Sequence, residues 1–389
     1  MTHAGQPRDP VPPNTTSPSA TAESGHSGLR RFARQLSLPG FGPEAQDKLA
    51  RASILCLGAG GLGCPALLHL AAAGVGHLVI VDDDVVSLTN LQRQILFTEA
   101  DTGQPKAATA AARLKALHSS LRVTVVHDRF RAANAMDLSH GCDLILDGTD
   151  NFSTRYLSSD VATWRRIPNV YGAVHRFEGQ LSVFHPAAGG PCYRCMFPTP
   201  PPPGTVPSCT EAGILGTVTG LIGTLQASET IKLLTGLGQP LIGRLFHFDS
   251  LSMASRTLTL RRDPACPVCG PNPSITSPLD SEFSCALPTP APTPPSLNAA
   301  EFATLIANPD TVVLDVREPW ESALLPFPQA SLTIPAALIE SRISEIPRSH
   351  HPIIAVCSIG QRSALAAASL RSLGFPTATH LAHGLDSLP

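Results

Sequence analysis

Short apolar runs alternate with longer alanine- and leucine-rich stretches over residues 29–270. Four of the runs have the length of a β-strand and lie at Ser53–Leu57, His77–Val81, Val123–Val126 and Leu144–Leu146. Helix-like segments separate them, and this alternation is typical of a parallel sheet with crossover helices. The pattern therefore predicts a doubly wound α/β domain over this part of the chain.

A shorter α/β pattern follows at residues 296–389, with strands predicted at Thr311–Asp315 and Ile353–Cys357. Between the two patterns, residues 271–295 are rich in Pro, Ser and Thr, a composition typical of an extended linker. Residues 1–28 are rich in Pro, Ser, Thr and Gly and are predicted to form a disordered tail. The chain is thus predicted to contain one large and one small α/β domain.

Two long stretches carry no formally charged residue, Leu62–Val81 and Ala212–Ser228. Gly74 and Gly76 divide the first stretch, which predicts a helix followed by a strand. Glycines and threonines make the second too polar for a membrane span and suit it to a buried, closely packed helix. We therefore expect no membrane association.

Composition narrows the range of partners and locations. The net charge is −2, and lysine and arginine form no long runs, which argues against nucleic acid as a partner. The N-terminus is polar and proline-rich and lacks the apolar segment of a secretory signal. Ten cysteines in such a chain favour metal binding or chemistry over disulfides, and we expect a cytoplasmic location.

A glycine-rich segment, Gly58-Ala-Gly-Gly-Leu-Gly63, ends one predicted strand and opens a helix. Glycines allow a tight turn whose backbone can approach a phosphate at the helix N-terminus. Asp82 ends the next strand, 24 residues after Gly58, where a ribose-binding carboxylate is expected. By itself the motif also fits a tight turn without a ligand, or the dinucleotide site of an NAD-dependent oxidoreductase.

Polar and basic residues that follow this segment favour a triphosphate over a dinucleotide. They are Thr89, Asn90, Leu91, Gln92 and Arg93 in one run, then Lys106 at the start of a helix. Arg93 and Lys106 suit the extra phosphate charge. Asp150, followed by Asn151, ends another strand and could hold Mg²⁺ against phosphate oxygens. The alternatives are that Lys106 is a solvated helix residue and that Asp150 caps a helix.

Two cysteine pairs have the spacing of a zinc site. They are Cys192 with Cys195 and Cys266 with Cys269, each separated by two residues. Four thiolates complete the tetrahedral coordination of Zn²⁺ and leave no open position, so the zinc would be structural. The alternative is a redox-active cysteine pair.

The order of these features resembles the ThiF/MoeB/HesA family, whose members adenylate ubiquitin-like sulfur carriers. The resemblance covers residues 29–270 and rests on Arg34, the glycine segment, Asp82, Asn90–Arg93, Lys106, Asp150 and both cysteine pairs. It implies a Rossmann-like domain of the E1 type. It also implies that ATP with Mg²⁺ activates the C-terminal Gly-Gly carboxylate of a carrier as an acyl-adenylate.

The same resemblance implies a role for each matching residue. Those expected to contact the nucleotide are Gly61 through its backbone, Asp82 at the ribose, and Asn90, Arg93 and Lys106 at the phosphates. Asp150 would position Mg²⁺. Arg34 would reach the phosphates in the site of the partner subunit, which implies a homodimer.

Cys209 follows a proline-rich loop, in the segment Pro207-Ser-Cys-Thr-Glu. Some members of the family use a cysteine at this place to form a covalent intermediate with the carrier, whereas others adenylate without it. Cys209 is therefore a candidate catalytic residue, and an inert loop thiol is the alternative.

The small domain resembles the rhodanese family. The resemblance rests on Asp315-Val-Arg-Glu318 and on the loop from Cys357 to Arg362, between a strand and a helix. Backbone amides and the helix N-terminus would stabilise a persulfide on Cys357, and Arg362 would stabilise the loop or the charge of the donor. The alternative is that Cys357 is only the buried end of a strand.

Two departures from the rhodanese pattern concern stability and donor choice. The segment Leu325–Ala330 lacks the histidine and both glycines that usually follow the first motif. The chain also ends at Pro389, where relatives usually add an aromatic segment.

Together the resemblances predict a two-step enzyme. The large domain would adenylate the carrier, and a Cys357 persulfide would supply sulfur for a thiocarboxylate, from a cysteine desulfurase or thiosulfate as donor. Besides the oxidoreductase, a carrier-binding module with an inactive rhodanese unit is the other alternative. Molybdopterin, thiamine, tRNA thiolation and cysteine synthesis all remain open as pathways.

Overall fold

The computed structural model describes residues 30–199, 213–280, 294–347 and 351–388. Contacts along the chain separate two compact units, which divide between Ser284 and Cys285. The predicted tail, the predicted catalytic residue Cys209 and most of the linker lie outside the described residues.

The first unit contains one eight-stranded sheet. Its strands are β1 (Ser53–Leu57), β2 (His77–Val81), β3 (Arg122–Val126), β4 (Leu144–Asp147), β5 (Asn169–His175), β6 (Glu178–Phe184), β7 (Arg244–Asp249) and β8 (Ala254–Thr259). Their order is β3-β2-β1-β4-β5-β6-β7-β8. The first five are parallel and the last three join as antiparallel strands. The four strands predicted from apolar runs are thus confirmed.

Helices cover this sheet. They are α1 (Ala33–Leu36), α2 (Gly42–Arg51), α3 (Gly63–Ala73), α4 (Lys106–Leu117), α5 (Ala132–Leu138), α6 (Phe152–Arg165), α7 (Tyr193–Met196) and α8 (Gly216–Thr235). Alternate residues of β1 enter two apolar cores: Ile54 and Cys56 one, Leu55 and Leu57 the other. Both faces of the sheet are therefore buried, which is why the strand is apolar throughout.

The charge-free stretches form elements of this unit. The first becomes α3 and β2, separated by Gly74 as predicted. The second lies largely in α8, where a Cβ on Gly223 would come 2.2 Å from the Leu62 carbonyl oxygen. The small residue thus permits the close packing that the sequence predicts. No helix among the described residues is long and apolar enough to cross a membrane.

The second unit contains a five-stranded parallel sheet. Its strands are β9 (Ser296–Leu297), β10 (Val312–Asp315), β11 (Leu332–Thr333), β12 (Ile353–Val356) and β13 (Ala378–Leu381), in the order β11-β10-β12-β13-β9. The helices are α9 (Ala299–Ile306), α10 (Pro319–Leu324) and α11 (Gln361–Ser372). Residues of β12 alternate between two cores, Ala355 in one and Ile354 and Val356 in the other.

Candidate functional site

The strand order of the first unit places a crevice beside its central strand. β1 pairs with β2 on one side and with β4 on the other, so the connections after β1 and β4 leave in different directions. In open α/β sheets, ligands bind at the carboxyl ends of the strands at such a switch point. The glycine segment follows β1, and the Asp147–Asn151 loop follows β4.

The glycine segment forms a turn that folds closely back on itself. Gly58 has φ of +85°, a conformation that favours glycine, and its backbone N–H donates to the Val81 carbonyl at 2.9 Å. A Cβ on Gly63 would lie 2.0 Å from the Gly58 carbonyl oxygen. The turn therefore brings backbone amides to the N-terminus of α3, an arrangement that can bind phosphate.

Asp82 lies beside this turn at the end of β2. Its carboxylate accepts hydrogen bonds from the backbone N–H of Ala59 at 2.7 Å and of Asp84 at 2.9 Å. Burial raises the pKa of Asp82, and these two hydrogen bonds act in the opposite direction. A half-buried carboxylate held in this way is suited to accept hydrogen bonds from ribose hydroxyls.

Lys106 begins α4 and is buried. Its Nζ donates to Asp84 Oδ2 at 2.5 Å, and its backbone N–H donates to the Asp84 carbonyl. Burial acts against ionisation of Asp84, but Lys106, the Val85 N–H and Arg129 together lower the pKa of that carboxyl. The alternative that Lys106 is a solvated helix residue is therefore wrong.

The polar run is a short irregular segment, and its residues have different environments. Arg93 Nη1 donates to the Thr89 carbonyl at 3.2 Å. A Cβ on Gly61 would lie 3.3 Å from Arg93 Cγ, so this arginine passes directly over the glycine segment. Asn90 is half-buried, and its carbonyl accepts from the backbone N–H of Arg93.

Two members of the run have surroundings that the sequence did not indicate. Leu91 packs against the main apolar core. Gln92 lies against the first residue of α8: a Cβ on Gly216 would be 2.2 Å from the Gln92 carbonyl oxygen. Leu91 therefore contributes to core packing, and the backbone of Gln92 lies close against the first turn of α8.

The loop after β4 is held by a buried carboxylate. Asp147 accepts hydrogen bonds from Thr149 Oγ1 at 2.6 Å and from Ser158 Oγ at 2.5 Å. Asn151 caps α6 by accepting from the Thr154 N–H at 2.8 Å, so the alternative that Asp150 is the cap is wrong. Asp150 is exposed at the edge of this loop, where a carboxylate oxygen is a suitable ligand for Mg²⁺.

Sequence reasoning missed two buried side chains that support the same loop. Gln226, on α8, donates through Nε2 to the carbonyls of Asp147 at 2.7 Å and Val170 at 3.0 Å. Arg155, on α6, donates to the Thr149 carbonyl at 2.9 Å and lies against the Tyr171 ring. An amide side chain within a charge-free helix was the available signal for Gln226.

The four cysteines predicted to bind zinc lie together. Sγ–Sγ distances are 3.8 Å for Cys192–Cys195 and 3.4 Å for both Cys192–Cys266 and Cys195–Cys269. All four sulfur atoms lie within 4.8 Å of one another. Sulfurs around tetrahedral zinc, with bonds of about 2.3 Å, are about 3.8 Å apart, so the cluster fits Zn²⁺.

A buried ion pair supports the first cysteine pair. Arg194, between the two cysteines on α7, binds Asp160 with two nitrogens and lies 4.7 Å from the centre of the Tyr156 ring. This ion pair therefore holds α7, which carries Cys195, against α6. Such support is expected for a metal site that joins distant segments of the chain.

In the second unit, Cys357 directly follows β12 and is completely buried. The backbone N–H of Ser363 donates to its Sγ at 3.3 Å, and α11 begins after Gly360. Gly360 has φ of +89°, and a Cβ there would lie 2.2 Å from the Ala382 carbonyl oxygen. The thiol thus faces the N-terminal turn of a helix of 12 residues.

An ion pair fastens the end of this loop. Arg362 donates through Nη1 and Nη2 to the two carboxylate oxygens of Glu321, at 2.6 and 2.7 Å. The hydrogen bond from Arg362 lowers the pKa of Glu321. A second ion pair, between Arg317 and Asp315, is buried, with 2.7 Å between Arg317 Nη2 and Asp315 Oδ2.

The two departures from the rhodanese pattern are accommodated in the packing. Phe327, in the altered segment, stacks on Phe302 with ring centres 6.2 Å apart. Near the C-terminus, the backbone N–H groups of Leu385 and Asp386 donate to the carbonyls of Cys357 and Ser358, at 2.8 and 2.9 Å. The short C-terminal segment therefore supports the Cys357 loop.

Arg34, predicted to act in the partner subunit's site, is exposed on α1. Its neighbour Gln35 anchors this segment by donating to Gln46 Oε1 at 2.8 Å and to the Ala73 carbonyl at 3.0 Å. Arg34 thus lies on the surface of the first unit, and its action in a partner's site stays a prediction.

These features define a protein with an α/β unit whose glycine turn can bind phosphate and a second α/β unit whose cysteine loop faces a helix N-terminus. The ThiF family model matches residues 32–268, and the rhodanese-like domain model matches residues 298–388. The chain belongs to the ThiF family and carries a rhodanese-like domain, so both resemblances are confirmed.

Relatives with related names cover one or both units. A sulfur carrier protein adenylyltransferase of Thermus thermophilus is 48% identical over 263 residues, which are 67% of this chain and 97% of that protein. The probable adenylyltransferase/sulfurtransferase MoeZ of Mycobacterium tuberculosis is 40% identical over 371 residues, 92% of each chain. These names favour adenylyl transfer over the oxidoreductase alternative.

A solved structure supports the fold. Escherichia coli MccB, crystallised with MccA-N7isoASN, superposes with a TM-score of 0.56 and 21% identity, covering 62% of this chain and 74% of that chain. The doubly wound fold class is therefore confirmed.

Proposed function

We propose that this protein is an adenylyltransferase and sulfurtransferase that converts the C-terminal glycine of a small ubiquitin-like sulfur carrier into a thiocarboxylate. One observation carries the proposal. A single ThiF-family chain contains both a glycine turn suited to bind phosphate and a cysteine loop that faces a helix N-terminus. The full-length similarity to a relative named adenylyltransferase/sulfurtransferase supports it.

In the first step, the carrier carboxylate attacks the α-phosphorus of ATP, and pyrophosphate leaves. No general base is required because the carboxylate is already ionised. The main obstacle is repulsion between two anions, so the protein contributes chiefly by neutralising phosphate charge. Arg93 and Lys106 supply positive charge at the crevice, the glycine turn supplies amides, and Asp82 accepts the ribose hydroxyls.

Mg²⁺, held at Asp150, supplies further neutralisation of the phosphate oxygens when bound. Zn²⁺, held by the four cysteines, joins the α7 segment to the segment after β8 and takes no part in the chemistry. Arg34 completes the site of the other subunit in a homodimer.

In the second step, the terminal sulfur of a Cys357 persulfide attacks the acyl-adenylate, and AMP leaves. The product is an acyl disulfide between the carrier and Cys357. A thiolate of an external dithiol then attacks the Cys357 sulfur and releases the thiocarboxylate, and the second thiol of that dithiol resolves the mixed disulfide and restores the Cys357 thiolate. Cys209 remains a candidate for a covalent intermediate with the carrier, and the proposed cytoplasmic location would keep the thiols reduced.

Carrier-dependent exchange of pyrophosphate into ATP tests the first step, with small Gly-Gly proteins of each pathway as candidates. We expect exchange that requires both a carrier and Asp150, and Asp150→Ala should abolish it. Cys357→Ala should retain exchange and lose thiocarboxylate formation. A folded, zinc-loaded protein that binds a carrier without exchange would instead support the binding-module alternative.

A further inference from the structure

One carboxylate connects the Cys357 loop to a neighbouring helix. Glu321, on α10, accepts from both terminal nitrogens of Arg362 and, at 3.5 Å, from Ser358 Oγ. Ser358 and Arg362 lie at opposite ends of the loop. Glu321 also accepts from the Glu318 backbone N–H at 2.9 Å, which completes the cap of its own helix. Its position is therefore set by two independent sets of hydrogen bonds.

This arrangement determines the charge that a sulfur donor meets. Arg362 is the cation of the loop, yet both of its terminal nitrogens are already directed at Glu321. Other charged or titratable side chains lie nearby, before α10 and after β13. They are Asp315, Arg317, Glu318, His383 and Asp386. Among residues 294–347 and 351–388, Glu321 is the one whose carboxylate bonds to the loop.

We propose that Glu321 is a specificity-determining residue that disfavours dianionic sulfur donors and reserves Cys357 for a donor with at most one charge on its reacting group, such as a persulfide. The inference rests on the sulfur-transfer step proposed above. A dianion would have to approach a carboxylate that cannot leave Arg362 without uncapping α10. A persulfide brings less charge and loses less by this repulsion.

The transfer chemistry is the same for both classes of donor. The Cys357 thiolate attacks the outer sulfur of the donor, the donor S–S bond breaks, and its electron pair leaves with the donor remnant. Thiosulfate releases sulfite, a persulfide releases a thiolate, and benzenethiosulfonate releases benzenesulfinate. Cyanide then removes the outer sulfur of the Cys357 persulfide as thiocyanate and restores the thiolate.

The test compares thiosulfate, a dianion, with benzenethiosulfonate, a monoanion, in thiocyanate formation by the full-length protein. In Glu321→Gln, removal of one charge should raise the thiosulfate-to-benzenethiosulfonate ratio of kcat/KM about tenfold. The KM for thiosulfate should carry most of this change. Asp310→Asn, which removes an exposed carboxylate before β10, at the opposite edge of the sheet from the Cys357 loop, should leave the ratio unchanged.

The ratio is independent of the fraction of folded protein, so partial unfolding of Glu321→Gln does not obscure the result. In an Arg362→Gln background, Glu321→Gln should still raise the ratio, because the repulsion of a dianion comes from the Glu321 carboxylate, which no arginine then offsets. Equal loss with both donors in Glu321→Gln would overturn the inference and leave the proposed function intact. Absence of thiocyanate with either donor, in wild type and variants, would overturn the sulfur-transfer step as well.

Discussion

Each unit pairs a cation of its proposed site with a carboxylate, but the two carboxylates differ in their exposure. In the first unit, the Lys106 side chain is 6% exposed and Asp84 is 64% exposed. In the second, Arg362 is 27% exposed and Glu321 is 15% exposed. Asp84 can therefore turn into water when a phosphate reaches Lys106, whereas Glu321 is held in place by its helix cap.

The difference shows that an ion pair can either leave a cation available for a ligand or keep it neutralised. A buried lysine with an exposed partner keeps its position and can exchange that partner for a ligand anion. An arginine paired with a carboxylate that is fixed by its own helix cap stays neutralised for as long as the fold persists. The first arrangement suits binding of a triphosphate, and the second suits a loop that must exclude strong anions.

The largest expected effect separates the stabilities of the two units. Cys266→Ser should remove zinc and lower the melting temperature of the first unit by more than 10 °C, because structural zinc supplies folding energy, about 10–16 kcal/mol in small zinc peptides. Calorimetry of the full chain should show the second transition unchanged. Cys142→Ser is the control, since Cys142 lies outside the four-cysteine cluster. A parallel fall of both transitions would contradict the separation.

Replacing the buried lysine tests whether Lys106 binds the phosphates of ATP. Lys106→Met should lower carrier-dependent pyrophosphate exchange by about 100-fold or more. Removing one preorganised group that stabilises the charge developing on the phosphates in the transition state has an effect of this size. Lys232→Met provides a matched control, because Lys232 is also paired with a carboxylate, that of Glu229 on α8. An equal loss in both variants would show that Lys106 acts on stability alone.

A smaller effect is expected from the buried amide that supports the Asp147 loop. Gln226→Leu leaves the carbonyls of Asp147 and Val170 without their donor and should destabilise the first unit by about 1–3 kcal/mol. The KM for ATP should rise as the loop loosens. Thr230→Val, on the same helix, removes a buried hydroxyl that has no hydrogen-bond partner among the described residues and should be nearly neutral. Denaturant titration distinguishes the two.

The sequence was sufficient for the strands β1–β4, β10 and β12 and for the clustering of Cys192 and its three partners. Those predictions rest on local apolar runs and on paired spacing, which depend little on tertiary detail. The pairing of Lys106 with Asp84, and of Arg362 with Glu321, could not be predicted, because each joins residues more than 20 positions apart. Asn151 rather than Asp150 caps α6 because backbone geometry at one position decides the cap, and composition does not.

The smallest expected effect concerns the stability of the second unit in acid. Arg362 holds the pKa of Glu321 below its usual range, so the folded state releases this proton more readily than the unfolded chain does. The resulting stability is present above the unfolded pKa, about 4.3, and is lost as the pH falls through the lower folded pKa. Because both side chains are partly exposed, the contribution should be less than about 1 kcal/mol.

Calorimetry of the second transition between pH 6 and pH 3 measures this contribution. The wild-type melting temperature should fall more steeply than that of Glu321→Gln, because only the wild type has a carboxylate to protonate at this position. Added salt should reduce the difference between the two curves, since it screens a partly exposed pair. If the two curves are parallel, the charge of Glu321 contributes nothing to folding. Any change in donor preference in Glu321→Gln would then reflect charge at the loop rather than stability of the unit.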